Sequence, residues 1–266
     1  MSALSRSLDR MDKPPATPAV AENPLLALLD RVDTTPEALA LRARSYELLD
    51  VRAGTRLLDV GCGGGRAVAE TMRLGARSTG VDPDRGAVGA ARARWPRGRF
   101  LVADARALPF PDASVDAYRA ERVLHELTEP ADAVTEARRV LAPGGRIALV
   151  GHDWDAFVID SDDAGLTRRI VHARADLVAS PRAARGFRAL LLAAGFRDVR
   201  VEVHTTVLTG EAALAVVTGA VRRVVAAGAV AAEEGAAWVA GQRGRAGAGR
   251  AFVAVPVFLA SAHAVP

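Results

Sequence analysis

Four glycines fall within five consecutive positions, Gly61 to Gly65, and an acid, Asp59, stands two residues before them. Glycine allows positive φ and lets a ligand approach the main chain closely. Backbone N–H groups at the start of a following helix favour an anionic group. Asp59 could accept a hydrogen bond from an ammonium group, and it would repel a pyrophosphate. The pattern therefore predicts a ligand with an amino-acid end and a nucleoside end.

Two further acids follow at intervals that suit the nucleoside. Asp82, in "TGVDPD", is placed to accept hydrogen bonds from both ribose hydroxyls. Asp104, in "VADARALPF", could accept from an adenine amino group, and Pro83 and Ala105 could pack on the ring. S-adenosylmethionine (SAM) is a ligand with these two ends.

The surrounding sequence alternates strand-like and helix-like segments from Arg56 onward. The strand-like runs are "TRLLDV", "RSTGVD", "RFLVAD", "VDAYRAE" and "RIALVGHD". The helical runs between them are "GRAVAETMRLG", "DRGAVGAARARW", "ERVLHEL" and "PADAVTEARRVLAPGG". This alternation predicts a parallel sheet covered by helices on both faces.

Outside that core the signals are capped helices and two later strands. Thr35 followed by Pro36 predicts the start of one helix, and Ser180 followed by Pro181 predicts another. The run "FRDVRVEVHTTVL" alternates apolar and polar residues, as a half-exposed antiparallel strand does. Alanine-rich helices are predicted over about 211–227 and 231–243. A final strand, "AFVAVPVFLASA", contains Pro256, which predicts an edge or a bulge there.

Four segments, taken in order, resemble the class I SAM-dependent methyltransferases. They are "LLDVGCGGGRAV", "TGVDPD", "VADARALPFPDASVDAYRAERVLHEL" and "EARRVLAPGGRIALV". The likeness is strongest to the small-molecule branch that includes the ubiquinone/menaquinone C-methyltransferases and natural-product enzymes. It implies an α/β fold: a doubly wound, seven-stranded Rossmann-like sheet whose last two strands form an antiparallel hairpin.

The expected organisation has three parts. Residues 1–23 form a flexible arm, 24–53 form helices that cover the cofactor site, and 54–266 form one methyltransferase domain. Helical lid insertions are expected at about 160–195 and 211–247.

The resemblance also implies site residues. Asp59, Gly61 and Gly63 would surround the methionine end, Asp82 would hold the ribose, and Asp104 and Ala105 would contact the adenine. From the residues alone, Arg44 and Tyr46 on the N-terminal helix either reach the SAM carboxylate or lie on an amphipathic surface. The full set of expected cofactor contacts is Asp59, Gly61, Cys62, Gly63, Asp82, Pro83, Asp104, Ala105, Glu121, Arg122, Arg44 and Tyr46.

Two histidines are the candidates for a general base, if the acceptor must lose a proton. His125 lies just beyond the fourth strand and His152 ends the fifth. Histidine suits this role because its pKa lies near neutral pH, although either residue could instead be structural. Asp153 and Trp154 could shape the acceptor pocket or hold a loop. The acidic run "DWDAFVIDSDD" could attract a hard cation, but solvated carboxylates are the preferred interpretation, so no metal is predicted.

The amino-acid composition of the chain limits the kinds of binding partner that we expect. The chain has 266 residues, half of them hydrophobic, and a net charge of +4 with scattered arginines, which does not indicate a nucleic-acid surface. Cys62 is the single cysteine. The N-terminus lacks a signal-peptide core and no apolar run approaches the ~20 residues of a membrane span. We expect a cytoplasmic monomer or homodimer with a small-molecule acceptor.

The predicted function is in-line transfer of the SAM methyl group to a quinone-like, aromatic or secondary-metabolite acceptor, with S-adenosylhomocysteine as product. A nicotinamide oxidoreductase should carry a third fingerprint glycine where this chain has Arg66. A nucleic-acid methyltransferase typically carries an Asn/Asp-Pro-Pro-aromatic motif, where this chain reads "AERVLHEL". A non-catalytic SAM-binding protein remains an alternative.

Overall fold

Helices and strands alternate from Pro36 to Ala264 in the computed structural model, which describes residues 35–265. The helices are α1 (Pro36–Leu48), α2 (Arg66–Arg73), α3 (Arg85–Arg94), α4 (Pro130–Val140), α5 (Ala164–Asp176), α6 (Phe187–Ala193), α7 (Gly210–Ala226) and α8 (Ala232–Gly247). The strands are β1 (Arg56–Val60), β2 (Arg77–Asp82), β3 (Arg99–Val102), β4 (Val115–Glu121), β5 (Leu141–His152), β6 (Val158–Ile159), β7 (Phe196–Thr209) and β8 (Phe252–Ala264). Short 3-10 helices occupy Leu124–Glu126 and Trp154–Ala156.

One mixed sheet organises these strands in the order β3-β2-β1-β4-β5-β8-β6, with β7 pairing with β8. The first five strands are parallel to one another. Strand β8 runs antiparallel to β5, β6 and β7. The predicted fold class is confirmed, and the two-residue strand β6 is an addition that the sequence pattern did not indicate.

Central strands are apolar because both of their faces are covered. In β1 four of the five residues are buried, and Leu58 is fully buried. Ile147 and Leu149 in β5 are also fully buried, and each such side chain contributes roughly 1.5–3 kcal/mol of hydrophobic stabilisation. Parallel strands end at the same edge of a sheet, so this core fixes the relative positions of the loops that follow β1, β2, β4 and β5.

Helix α1 begins as predicted. The Thr35 hydroxyl accepts a hydrogen bond from the Ala38 N–H, and Pro36 occupies the first turn. The predicted arm over 1–23 and the apolar segment "PLLALLDRV" lie outside the described residues. The domain boundaries therefore stay predictions.

Two predicted helices are shorter than expected. The run "ERVLHEL" forms only the 3-10 turn Leu124–Glu126. Helix α6 begins at Phe187, six residues after Pro181, because the intervening backbone is used in turns and the Pro181 carbonyl accepts from the Trp154 N–H. The prediction of a helix start at Ser180 was wrong in its position.

Pro256 lies inside the sheet, in register with Thr205 of β7. On the other side of β8, pairing with β5 ends at Val257 and pairing with β6 begins at Ala254. The proline therefore sits at a local gap in the ladder, which tolerates the missing N–H. The alternative expectation, a bulge at Pro256, was wrong: β7 and β8 keep their register there.

The C-terminal helices form a second apolar cluster against the first residues of β8. It includes Ile170 of α5, Val217 and Val224 of α7, Trp238 of α8 and Val253. Among the helices within 35–265, none is long and apolar enough to cross a membrane.

Candidate functional site

The glycine loop between β1 and α2 is shaped by close contacts that only glycine allows. Gly61, Gly63 and Gly65 all have positive φ. A Cβ atom on Gly61 would lie 2.3 Å from a methyl carbon of Val123, and one on Gly65 would lie 2.7 Å from the Phe100 ring. A Cβ atom on Gly63 would meet nothing within 4 Å. The loop is therefore packed from behind and open at Gly63, where a ligand can approach its main chain.

Asp82 holds this loop at the end of β2. Its Oδ2 accepts a hydrogen bond from the Gly63 N–H at 2.9 Å, and its Oδ1 accepts from the Asp84 N–H at 2.9 Å. A carboxylate oxygen can accept more than one hydrogen bond, so both oxygens keep capacity for further donors. Half-buried beside the open glycine, this carboxylate suits the two hydroxyls of a ribose.

Asp59 lies deeper than its place in the sequence suggested. Its side chain is 2% exposed, and its Oδ1 accepts from Arg119 Nη1 at 3.0 Å. The other terminal nitrogen of Arg119 donates to Glu121. Burial raises the pKa of Asp59 to about 6 against the effect of Arg119. Burial also opposes ionisation of Glu121, but Arg119 and Arg122 outweigh it and lower its pKa to about 2.

A second buried network joins α1 to the loop's helix. The Arg42 guanidinium makes two hydrogen bonds to Glu70 of α2, at 3.0 and 3.1 Å. The Tyr46 hydroxyl donates to the same carboxylate at 2.8 Å. Arg44 points elsewhere and pairs with Glu202 of β7 at 2.6 Å. Tyr46 and Arg44 are therefore both bonded to other side chains of the protein, and these bonds hold α1 in place.

The remaining expected adenine contacts differ in exposure. The Asp104 carboxylate accepts from the backbone and side chain of Arg106, and these bonds lower its pKa to about 2. Pro83 is exposed, whereas Ala105 is 5% exposed and belongs to the main core cluster. Cys62 is buried against the loop, and burial raises the pKa of its thiol.

Both candidate histidines reach one aromatic cluster at the ends of β4 and β5. The ring centroids of His125 and His152 lie 5.6 and 6.0 Å from that of Trp154, and Phe157 stacks on Trp154 at 5.5 Å. Burial lowers the pKa of His125, partly offset by Glu126. Burial, with Arg122 and His125 nearby, lowers the pKa of His152 to about 4. Both shifts favour the neutral imidazole, which is the form that can accept a proton.

Four of the five acids of "DWDAFVIDSDD" are paired with arginines, and the fifth, Asp163, accepts from the Leu166 N–H at the start of α5. Asp153 is 1% exposed and bonds to Arg185, and Asp155 bonds to Arg182. Asp160 and Asp162 both bond to Arg245 of α8. These pairs fix the segment after β5, so Asp153 positions Trp154 through the backbone and its own carboxylate is occupied.

A cavity of about 470 Å³ adjoins His152 between α1, β7 and the ends of β4 and β5. Its wall near the glycine loop includes Glu121 and Arg122, and its opposite wall includes Arg44, Glu202 and polar residues of β7. A volume of this size suits a small organic molecule.

The sequence reasoning missed three residues that define this region. Arg119 could have been identified from the sequence, because an arginine in the middle of the buried strand "VDAYRAE" requires acidic partners. Phe157 follows Trp154 by three residues at the end of the same 3-10 turn, whereas Arg174 comes from α5 and contacts Trp154 only in the folded chain.

Comparison with known proteins supports the same interpretation. Residues 58–149 match the family described as "Methyltransferase domain". The chain is 34% identical, over 68% of its length, to an uncharacterized 37.1 kDa protein of a Streptomyces fradiae transposon, and covers 55% of that protein. It is 38% identical, over 45% of its length, to the 27-O-demethylrifamycin SV methyltransferase of Amycolatopsis mediterranei, and covers 47% of it. The chain thus spans about half the length of the curated relatives it matches.

Among solved structures, the YcgJ protein of Bacillus subtilis superposes with a TM-score of 0.61 at 18% identity, covering 85% of this chain and 99% of that one. That likeness concerns the fold. The matched domain, the sheet order and the glycine loop agree with one another, and residues 58–149 are therefore identified as a methyltransferase domain.

Proposed function

We propose that this protein transfers the methyl group of SAM to a small organic acceptor. The observation that carries the proposal is the glycine loop, which is open at Gly63 and held by the half-buried carboxylate of Asp82. That arrangement fits a nucleoside with a zwitterionic tail, since the Asp82 carboxylate stands where ribose hydroxyls can donate to it.

The chain's own residues would hold the cofactor in parts. Asp82 accepts from the ribose hydroxyls, and the main chain of Gly61 and Gly63 lies along the methionine end. Glu121 and Arg122 line the side that faces β4, with Asp59 behind them through Arg119. Cys62, Pro83, Asp104 and Ala105 form the adenine side. When bound, SAM supplies a methyl group on a sulfonium, which is already a strong electrophile.

Catalysis by this site is mainly positioning. Walls that hold the acceptor atom in line with the methyl carbon, in a pocket that excludes water, supply most of the rate acceleration. His125 and His152 stand at the ends of β4 and β5, beside that position, and either neutral imidazole can accept the acceptor's proton. Trp154 forms part of the wall and Asp153 fixes it through Arg185.

The acceptor is proposed to be a secondary metabolite, an aromatic compound or a quinone. Support comes from the relative named as a rifamycin methyltransferase, whose matched region includes less than half of this chain. A cytoplasmic monomer or homodimer remains our prediction.

Two measurements test the function. Calorimetry with SAM, S-adenosylhomocysteine and NAD should show binding of the first two and none of NAD. Methyl-labelled SAM, incubated with the protein and an actinomycete metabolite extract, should give labelled small molecules. NAD binding without SAM binding would instead support an oxidoreductase, and SAM binding without labelled product from any extract fraction would support the non-catalytic alternative.

A further inference from the structure

Arg174 of α5 presents a guanidinium that forms no direct ion pair with a carboxylate of residues 35–265, although Glu126 is near enough to attract it. Its Cζ lies 4.3 Å from the centroid of the Trp154 ring, and within 35–265 it makes neither a hydrogen bond nor an ion pair with a side chain or the main chain. Burial and the neighbouring Arg223 lower the pKa of Arg174, and the Glu126 carboxylate partly offsets them. The nearby Arg182 and Arg185 each have an aspartate partner. A half-buried arginine that lacks one is placed to receive an anion from outside the chain.

Two buried polar atoms in the same cluster lack partners in the described part of the chain. They are Nε1 of Trp154 and Nδ1 of His152. Buried polar atoms are nearly always hydrogen-bonded, and an indole N–H can only donate. Trp154 therefore requires an acceptor atom, and an oxygen of a bound molecule supplies one beside the Arg174 guanidinium.

The charges around this cluster favour a negative ligand. Arg122 and Arg174 both act to lower the pKa of His125, and Arg122 does so for His152. The acids of this region are engaged or exposed: Asp153 pairs with Arg185, Glu126 bonds His125 from an exposed position, and Glu121 offsets part of the charge of Arg122, which leaves Arg174 as the cation of this cluster without a direct ion pair among the described residues. The exposed Arg223 adds positive charge on the outer side.

We propose that Arg174 and the Trp154 indole N–H form a subsite for an oxygen anion of the methyl acceptor, so that the acceptor is an organic acid, a carboxylate or a phenolate. This inference rests on the proposed function, because it assigns the cluster to the acceptor. The other available anion is the carboxylate of SAM itself. The two sources of the anion can be distinguished by measurement. Only if the anion is the carboxylate of SAM should the affinity for the cofactor depend on Arg174.

The test is titration calorimetry of the full chain. Its affinity for S-adenosylhomocysteine is measured first, and its affinities for two probe molecules are measured second. The probes are 2-naphthoate and its neutral counterpart 2-naphthamide, titrated with and without S-adenosylhomocysteine. We expect naphthoate to bind about tenfold or more tightly than naphthamide, as charge-assisted hydrogen bonds provide. Arg174→Gln should remove that preference, Arg174→Lys should retain part of it, and both should leave S-adenosylhomocysteine affinity unchanged.

Arg168→Gln is the matched control, since Arg168 is an exposed arginine on the same helix. Arg223→Gln, at an exposed position, should reduce the preference without a packing change, and it serves if Arg174→Gln does not fold. Equal affinity for the two probes, no binding of naphthoate, or a preference that survives Arg174→Gln would overturn the subsite. Loss of S-adenosylhomocysteine affinity in Arg174→Gln would assign the residue to the cofactor instead. Failure to bind S-adenosylhomocysteine at all counts against the proposed function, and the titration without it then decides the subsite alone.

Discussion

Arg119 faces Asp59 directly across the β1–β4 ladder, and its guanidinium lies 3.0 Å from the carboxylate. The same guanidinium bonds Glu121 one step further along β4, and its Nε donates to Ser45 of α1 at 3.1 Å. One buried cation therefore connects the acid before the glycine loop, the end of β4 and the N-terminal helix.

Removing this cation should destabilise the fold strongly. Arg119→Ala leaves the buried Asp59 without its cation and the partly buried Glu121 with Arg122 alone. Breaking a buried ion pair from one side costs about 3–5 kcal/mol in the free energy of unfolding. Urea unfolding of the variant measures this. Arg56→Ala is the control, because Arg56 and Asp116 form an exposed pair whose loss costs below about 1 kcal/mol. Equal costs for the two substitutions would contradict the assignment.

Asp82 should contribute to cofactor affinity more than to folding. Asp82→Ala removes the proposed acceptor for the ribose hydroxyls and should weaken S-adenosylhomocysteine binding by about 1–3 kcal/mol, measured by calorimetry. Asp132→Ala, an exposed acid in the first turn of α4, should leave the affinity unchanged. Unchanged affinity in Asp82→Ala would remove the ribose assignment.

Tyr46→Phe separates a structural role from a cofactor contact. The hydroxyl is buried and donates to Glu70, so its loss should lower the free energy of unfolding by about 1–2 kcal/mol. Affinity for S-adenosylhomocysteine should change less than about twofold, because the hydroxyl is already engaged. A drop of tenfold in affinity with unchanged stability would instead support the contact expected from the sequence.

The dependence of turnover on pH reports the proposed base. His152 has a pKa of about 4, and that of His125 also lies below the ordinary value. A protonated imidazole cannot accept a proton, so with His152 as the base kcat/KM should stay level from about pH 8 down to about pH 5.5 and fall only in more acidic buffers. The unfolded chain binds a proton at His152 near pH 6.5 and the folded chain does not. Stability should therefore also decline as the pH falls from about 6.5 to about 4.

If His152 is the base, His152→Gln should either abolish turnover or remove the fall of kcat/KM in acidic buffers. S-adenosylhomocysteine should still bind to this variant. An acid limb with its midpoint at or above pH 6.5 would argue against both histidines.

The sequence was most informative where backbone geometry is locally encoded. The glycines of the loop, the Thr35 cap and the order of strands with Asp82 at an end all follow from local rules, and the sheet confirms the fold class. The partner of Asp59 could not be predicted from the sequence, because the pairing depends on the register between β1 and β4. That register places Arg119 opposite Asp59.

The acceptor side was the least predictable for the same physical reason. Trp154 and Phe157 share one short turn after β5, whereas Arg174 comes from α5, and its contact with Trp154 arises from packing rather than from spacing along the chain. The proposed anion subsite depends on buried polar atoms without a hydrogen-bond partner and on the balance of nearby charges, and both are properties of the folded molecule.

The most direct measurement is a crystal structure of the full chain grown with S-adenosylhomocysteine. We expect the ribose hydroxyls on Asp82, the amino-acid tail along Gly61 and Gly63, and the sulfur directed toward the cluster of His125, His152 and Trp154. A crevice that holds no S-adenosylhomocysteine at saturating concentration, or a nucleoside bound away from Asp82, would contradict this expectation.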